Sequence, residues 1–322
     1  MHGRPQVQVT RKKEKVLRAR STGAELVWLL GQPHLGDYLD FVKTKVIGGA
    51  ELDPRMLADE WRAANDVYAE LERSEDGYAD ETKRRPAGRA LKPLVRRLEA
   101  NPWFRDSFDN LPYAVERVEL DRLVASQNHV ERAFTGRFLK RLASMSEEEL
   151  FHFCLPLDRQ QPPVTITRLA SDRFVFTSPS TDFRAHTPRI LRPEEVAHLT
   201  SCGPVSAFAG IALGFGSNFL SAVRSDRRIV LQNGYHRAYA LRSAGLKYAY
   251  CVVEDVTRKD EMKLTVDDTV AEDPEFYFAS RRPPLLKDFF DRRLARQLRI
   301  RPMQNHVEVE IKVRSSIATD WN

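Results

Sequence analysis

The sequence predicts an α/β (α+β) fold: a small mixed sheet with packed helices, plus a helical N-terminal region. Three observations carry this. Residues 25–112 place apolar side chains at helical spacing. Residues 160–230 shift to β-rich runs broken by Ser-Pro and Thr-Pro. A third stretch, 228–253, reads as strand, turn, helix and strand in under thirty residues. Spacings of three and four mark a helix face, and β-branched runs between turn residues mark strands.

Taken in order, residues 1–22 read as a disordered basic arm, with too few large apolar side chains to offset ordering. Within 23–112, Leu35, Tyr38, Leu39, Val42 and Val46 form one helix stripe. Asp53-Pro54 is an N-cap followed by proline at the first helical position. Leu57, Trp61, Ala64, Tyr68 and Leu71 continue that helix, and Ser74 to Gly77 ends it. Pro93 opens another, with Leu94, Val95 and Leu98 inward. The linker near 106–112 marks a boundary, so the segments expected are 1–22, 23–112, 113–256 and 257–322. Val115 to Leu120 is a short strand, and Val130, Ala133, Phe134, Phe138 and Leu142 a helix stripe. Ala207 to Leu213 reads as a buried strand. Pro283-Pro284 begins a helix carrying Leu285, Leu286, Phe289, Phe290 and Leu294. Val307 to Val313 alternates strictly, as a half-exposed strand does.

The chain has 322 residues and a formal charge of +6. Seven bases and one acid among the first twenty residues account for all of it. The body is neutral, which argues against a surface coated with positive charge for wrapping duplex DNA. Salt-sensitive nucleic-acid binding would then depend chiefly on residues 1–20. Inside the body the charge is segregated. Glu51 to Glu81 carries net −8 and Lys83 to Arg97 net +7; Glu254 to Ser280 carries −6 and Arg281 to Arg301 +6. The first pair is read as neighbouring helices of opposite sign, facing each other or solvated, in preference to a nucleic-acid patch. Three scattered cysteines, Cys154, Cys202 and Cys251, make no disulfide framework, and a cytoplasmic setting is expected. Ser201 to Val223 carries no charge but is diluted by glycine and serine, so no membrane span is expected.

The sharpest motif is Arg228-Ile-Val-Leu-Gln-Asn-Gly-Tyr-His-Arg-Ala-Tyr-Ala-Leu-Arg-Ser-Ala-Gly-Leu. Ile229 to Gln232 is a strand, Asn233-Gly234 a turn, Tyr235 to Ala244 a helix and Gly245 its stop. A helix N-terminus offers unpaired N–H groups and the positive end of a dipole. His236 and Arg237 sit there, where a cation ordinarily opposes the dipole. Their placement makes sense if an anion occupies the turn, with Arg237 clamping a phosphate. The plain alternative is a structural turn with a solvated Arg237 and a packed His236.

These residues, with Ala244-Gly245-Leu246 and Val252-Val253 downstream, resemble the ParB/sulfiredoxin superfamily. Val118-Glu-Leu-Asp-Arg-Leu-Val-Ala-Ser-Gln127 resembles the first ParB box. The resemblance covers roughly 115–134 and 226–256, less than a fifth of the chain. It implies a nucleoside triphosphate, CTP or ATP with Mg²⁺, held by Asn233, Gly234, Tyr235, His236, Arg237 and Gln127, in a bacterial, DNA-associated process. His236 and Arg237 would serve any slow hydrolysis. Tyr235 stands where sulfiredoxin has its cysteine, so peroxiredoxin repair is not expected. The alternatives are a nuclease on the same scaffold, with metal on Glu254 and Asp255, and an inactive regulatory or scaffold protein. Residues 1–20 and Arg281 to Arg301 would help contact nucleic acid, and a homodimer is allowed.

Overall fold

The computed structural model describes residues 23–315 apart from 32–33, 133–135, 137, 158–160, 181 and 197–206. The basic arm, Cys202, and Ala133 and Phe134 of the predicted stripe lie outside the described residues.

The first element corrects the helical reading of 25–112. Ala24–Leu29 is a strand, β1. Leu26 to Leu30 are all 2–4% exposed, so both faces are covered and no polar face exists for a surface helix. The helices that follow match the periodicity: α1 (Leu35–Lys45) and α2 (Pro54–Ser74). Asp53 Oδ1 accepts from Arg55 N at 2.9 Å, a cap worth about 1 kcal/mol. A second departure is the short strand β2 (Arg84–Pro86). Then come α3 (Lys92–Glu99) and α4 (Pro102–Phe108), the latter capped by Asn101. Phe104 and Phe108 pack on Phe219, with ring centroids 5.4 and 5.9 Å away. The core therefore runs unbroken past the 106–112 linker.

β3 (Tyr113–Glu119) lies where expected. After it come β4 (Val124–Ala125), β5 (His129–Glu131), α5 (Leu139–Leu142) and α6 (Glu147–Cys154). Val130 thus belongs to a strand and not to the predicted helix: β5 pairs with β1, a contact across a hundred residues that local spacing cannot report. α6 starts on a capping box, Ser146 with Glu149. The inserted region carries β6 (Thr165–Arg168), β7 (Arg173–Ser178), β8 (Phe183–Ala185), β9 (Arg189–Leu191), β10 (Phe208–Gly210) and β11 (Leu213–Phe215). Here the single buried strand expected over 207–213 is replaced by two short ones. β10 pairs with β9 and β11 with β8, and Ile211 between them is 42% exposed. Among the described residues no helix is long and apolar enough to cross a membrane.

The main sheet is completed by β12 (Ser221–Ser225), β13 (Arg228–Asn233), the motif helix α7 (Tyr235–Ser243) and β14 (Tyr248–Val256). Its order is β2-β3-β14-β12-β13-β4. β12 and β13 form a hairpin; β12 runs parallel to β14, and β13 parallel to β4. Three short helices follow, α8 (Lys259–Thr265), α9 (Asp268–Glu272) and α10 (Pro274–Phe278). The predicted helix after Pro283-Pro284 is instead a 3-10 turn, Leu286–Phe290, leading into strand β15 (Ala295–Ile300) against β1. Its apolar residues are buried as foreseen, but Asp288 caps the turn through Leu285 N and takes the Arg282 guanidinium, which fixes a tight turn. β16 (Asn305–Glu310) pairs with β7.

Several acids of 51–81 pair with bases outside the basic block that follows them. Leu57, Ala64 and Tyr68 of α2 share one buried cluster with Leu298 and Ile300 of β15. That brings Glu60 to Arg296, Glu75 to Arg282 and Lys287, and Asp76 to Arg281. Arg281, Arg282, Lys287 and Arg296 of the Arg281–Arg301 block thereby have acidic partners within the molecule.

Candidate functional site

β13 delivers the motif. Ile229, Val230 and Leu231 are buried, and the chain then turns at Asn233-Gly234 into α7. Gly234 is demanded twice. Its φ is +92°, and a Cβ there would come within 3.0 Å of Leu220 Cα. Its carbonyl accepts from both Arg237 N and Ala238 N at 2.9 Å. The helix stops as predicted: Gly245 has φ +82°, and Leu246 N returns to Leu241 O at 3.0 Å.

The first box meets this turn. Parallel pairing of Val124-Ala125 with Val230-Leu231 sets Ser126 over Tyr235. The buried Tyr235 hydroxyl accepts from Ser126 N at 2.8 Å, lies 3.0 Å from Ser126 Oγ and donates to Leu231 O at 2.5 Å. Ser126 Oγ donates onward to Asp267 Oδ2 at 2.9 Å, and Asp267 N donates to Gln232 Oε1 at 3.1 Å. Burial pushes the Tyr235 phenol up to about 12, against the pull of the Ser126 hydrogen bonds. It is a neutral hydroxyl that ties the two boxes together. Asp267 had no sequence signal beyond its place as the cap of α9; Ser126 was adjacent to the predicted Gln127.

His236 and His129 are neighbours in the fold, and both are neutral. Burial lowers His129 to about 4. Burial, then the charges of His129 and Arg237, lower His236 to about 4. His129 stacks on Trp28 with centroids 5.5 Å apart and planes 7° apart, and its Nδ1 lies 2.9 Å from Asn128 Oδ1. Gln127 Nε2 donates to the His129 carbonyl, so that side chain turns into its own loop. Beside it lies a cleft of about 10 Å³ lined by Ser126, Gln127, Asn128 and Tyr277, room for about one water.

Arg237 is 8% exposed. Its Nη1 donates to Cys154 O at 2.8 Å and reaches Phe153 O at 3.5 Å. These carbonyls end α6 and form the negative pole of its dipole. A cation in the first turn of α7 thus has a counterpart within the protein, which the sequence argument did not foresee. Backbone carbonyls carry no residue-type signature, so nothing in the sequence could have named them.

The expected metal pair does not converge. Glu254 and Asp255 are consecutive on β14 and leave opposite faces. Glu254 is buried and accepts from Thr265 Oγ1 at 2.6 Å; burial pushes its carboxyl up. Asp255 accepts from Arg224 at 2.5 Å. Among the described residues no group of three or more His, Cys, Asp or Glu is gathered to hold a metal ion. Cys154 and Cys251 are both buried, and burial pushes the Cys154 thiol up to about 12, so neither is a ready thiolate.

A larger cavity, about 530 Å³, opens at the other end of α7. Arg242, Arg282, Lys287, Asp288, Phe290 and Arg293 line part of it, but acids from the same wall already hold most of these cations. No family model matches this sequence, and no curated protein or solved structure matches it either.

Proposed function

We propose that this chain is a nucleic-acid-associated binding protein on a ParB/sulfiredoxin-like scaffold, taking the phosphates of a nucleoside triphosphate at the first turn of α7. The observation that carries the reading is the meeting of two remote segments, Ser126 to His129 and Gly234 to Arg237, at one helix N-terminus. The first turn of α7 offers an anion backbone N–H groups and the positive end of the helix dipole. His236, neutral at pH 7, is a hydrogen-bond donor or acceptor without a charge.

The same groups support binding over turnover. The Tyr235 hydroxyl is engaged on three sides, and Arg237 is held by α6 carbonyls. A regulatory or scaffold role is therefore favoured over a nuclease, because Glu254 and Asp255 diverge. The test is a thermal-shift screen of CTP, ATP, GTP and UTP, each with and without Mg²⁺. A ligand at a hundred times its Kd stabilises by about 2.7 kcal/mol. We expect a rise in Tm with at least one triphosphate, its loss in Arg237→Ala, and no release of inorganic phosphate. No shift with any of the four sinks the nucleotide reading; phosphate release at a steady rate sinks the non-catalytic one.

A further inference from the structure

The basic block 83–97 holds seven bases and no acid. Glu60, Glu70, Glu75 and Asp76 pair with Arg296, Arg293, Arg282 and Arg281, Asp80 with Arg228 and Glu81 with Arg122, so these acids face away from the block. Arg84 is held by Glu116 at 2.9 Å. Lys83, Arg85, Arg89, Lys92 and Arg96 are all exposed, and among the described residues none of the five forms a salt bridge. Arg85 lies directly opposite Arg117 in the β2–β3 register. Like charges so placed repel, and an anionic ligand relieves them. Arg117 itself reaches Glu147 only at 3.4 Å, at the surface.

The geometry of the block is regular. Leu91 and Leu98 are buried, and Leu94 and Val95 pack inward. Arg89, Lys92 and Arg96, spaced by three and four, therefore share the outer side of α3 and the 3-10 turn before it. At about 1.5 Å per residue this row is about 10 Å long. One strand of duplex DNA places a phosphate every 3.4 Å or so along the axis, so the row spans about three of them. Among the described residues this surface carries no large exposed apolar side chain. A membrane-surface helix needs such anchors, and the centre of a protein interface is built from them.

We propose that β2 and α3 form a nucleic-acid backbone-binding surface, with Arg89, Lys92 and Arg96 as its central row and Lys83 and Arg85 extending it. Contacts of this kind position a protein on phosphates without reading bases. The proposal rests on the nucleic-acid half of the function given above, and it needs no nucleotide at α7.

The test uses the full chain and fluorescein-labelled 20-mers: duplex DNA, single-stranded DNA and single-stranded RNA of mixed sequence. Anisotropy titrations run from 50 to 200 mM NaCl without nucleotide. One variant is Arg89→Gln/Lys92→Gln/Arg96→Gln; the other, Arg55→Gln/Arg62→Gln/Arg73→Gln, removes the same charge from α2. All six side chains are exposed, and circular dichroism melts check folding. Should the triple variant melt early, Arg89→Gln and Arg96→Gln are read singly. We expect the α3 variant to weaken binding tenfold or more at 50 mM. The duplex salt slope should fall by about 2.7, at roughly 0.9 per phosphate contact. The α2 variant should change neither. The proposal is overturned if the native chain binds none of the three nucleic acids at 50 mM salt. It is equally overturned if both variants behave alike, or if deleting residues 1–20 alone abolishes binding. Loss of binding to phosphatidylserine vesicles or polyglutamate, with nucleic-acid affinity intact, assigns the surface to another partner and also overturns it. Arg237→Ala separates the two readings: it should remove the triphosphate-induced Tm shift and leave the salt slope unchanged.

Discussion

Replacing Tyr235 by phenylalanine removes one oxygen from the junction of the two boxes. That oxygen accepts from Ser126 N at 2.8 Å and donates to Leu231 O at 2.5 Å. The junction is buried, with Tyr235 3% and Ser126 8% exposed, so water cannot replace it freely. An orphaned buried donor costs about 1–3 kcal/mol. Leu231 O loses less, since a carbonyl has a second lone pair and sits in the β12–β13 ladder. Ser126 Oγ keeps Asp267 as acceptor. The expected loss is therefore about 2–4 kcal/mol. Urea unfolding of the Tyr235→Phe chain should show a lower midpoint at unchanged slope, because the core volume is conserved. Combined with Ser126→Ala, the pair should couple by about 0.5–3 kcal/mol. A loss under about 0.5 kcal/mol, the ordinary size of a neutral surface change, would falsify the claim that this tyrosine stands in the motif as a structural tie.

Two further perturbations probe other buried polar groups. Asp288→Ala strips the main counter-charge from Arg282, whose side chain is 1% exposed, and leaves Leu285 N without its acceptor. Breaking a buried pair from one side costs about 3–5 kcal/mol, and a chemical-denaturation midpoint close to that of the unchanged chain would refute the assigned role. The two imidazoles predict a pH dependence: His129 and His236 both have folded-state values near 4, below the ordinary 6.5. The unfolded chain therefore binds protons first, so the stability held by the neutral pair is full above about pH 6.5 and drains as pH falls toward 4. His129→Phe should flatten the Tm profile between pH 6.5 and 4; an unchanged profile counts against the buried neutral pair.

Some elements were legible because their signals are local. Asp53-Pro54 opens α2, Gly245 closes α7, and the 3.6-residue stripe of α1 needs no partner to be recognised. The strand–turn–helix–strand order of 228–256 was likewise complete within one window. β1, β5 and β15 were missed for the opposite reason. They form one sheet from segments near positions 25, 130 and 297, so their pairing is long-range, and the run of β1 is buried on both faces. A continuous apolar run has no period to distinguish strand from helix. Val130 fell into a helical stripe only because Phe138 and Leu142 happened to lie at compatible spacing. The predicted turn Asn233 to Arg237 and the first-box segment did come together. What sequence could not supply was the partner of Arg237. Its first-turn position invites an anion, and the anion-like group proves to be the carbonyl end of α6.

Charge segregation carried a similar lesson. The blocks at 51–81 and 83–97 are adjacent in sequence and opposite in sign, yet adjacency did not decide pairing. Tyr68, Ala64 and Leu57 of α2 join a buried cluster with Leu298 and Ile300 of β15, and Glu60, Glu75 and Asp76, in and just after α2, then meet Arg296, Arg282 and Arg281. Apolar packing chose the partners, at about 1.5–3 kcal/mol for each large side chain fully buried, where an exposed ion pair contributes about 0–1 kcal/mol. The electrostatics of the surface is thus what hydrophobic packing leaves over. In this fold that remainder includes Arg89, Lys92 and Arg96, along α3 and the 3-10 turn before it.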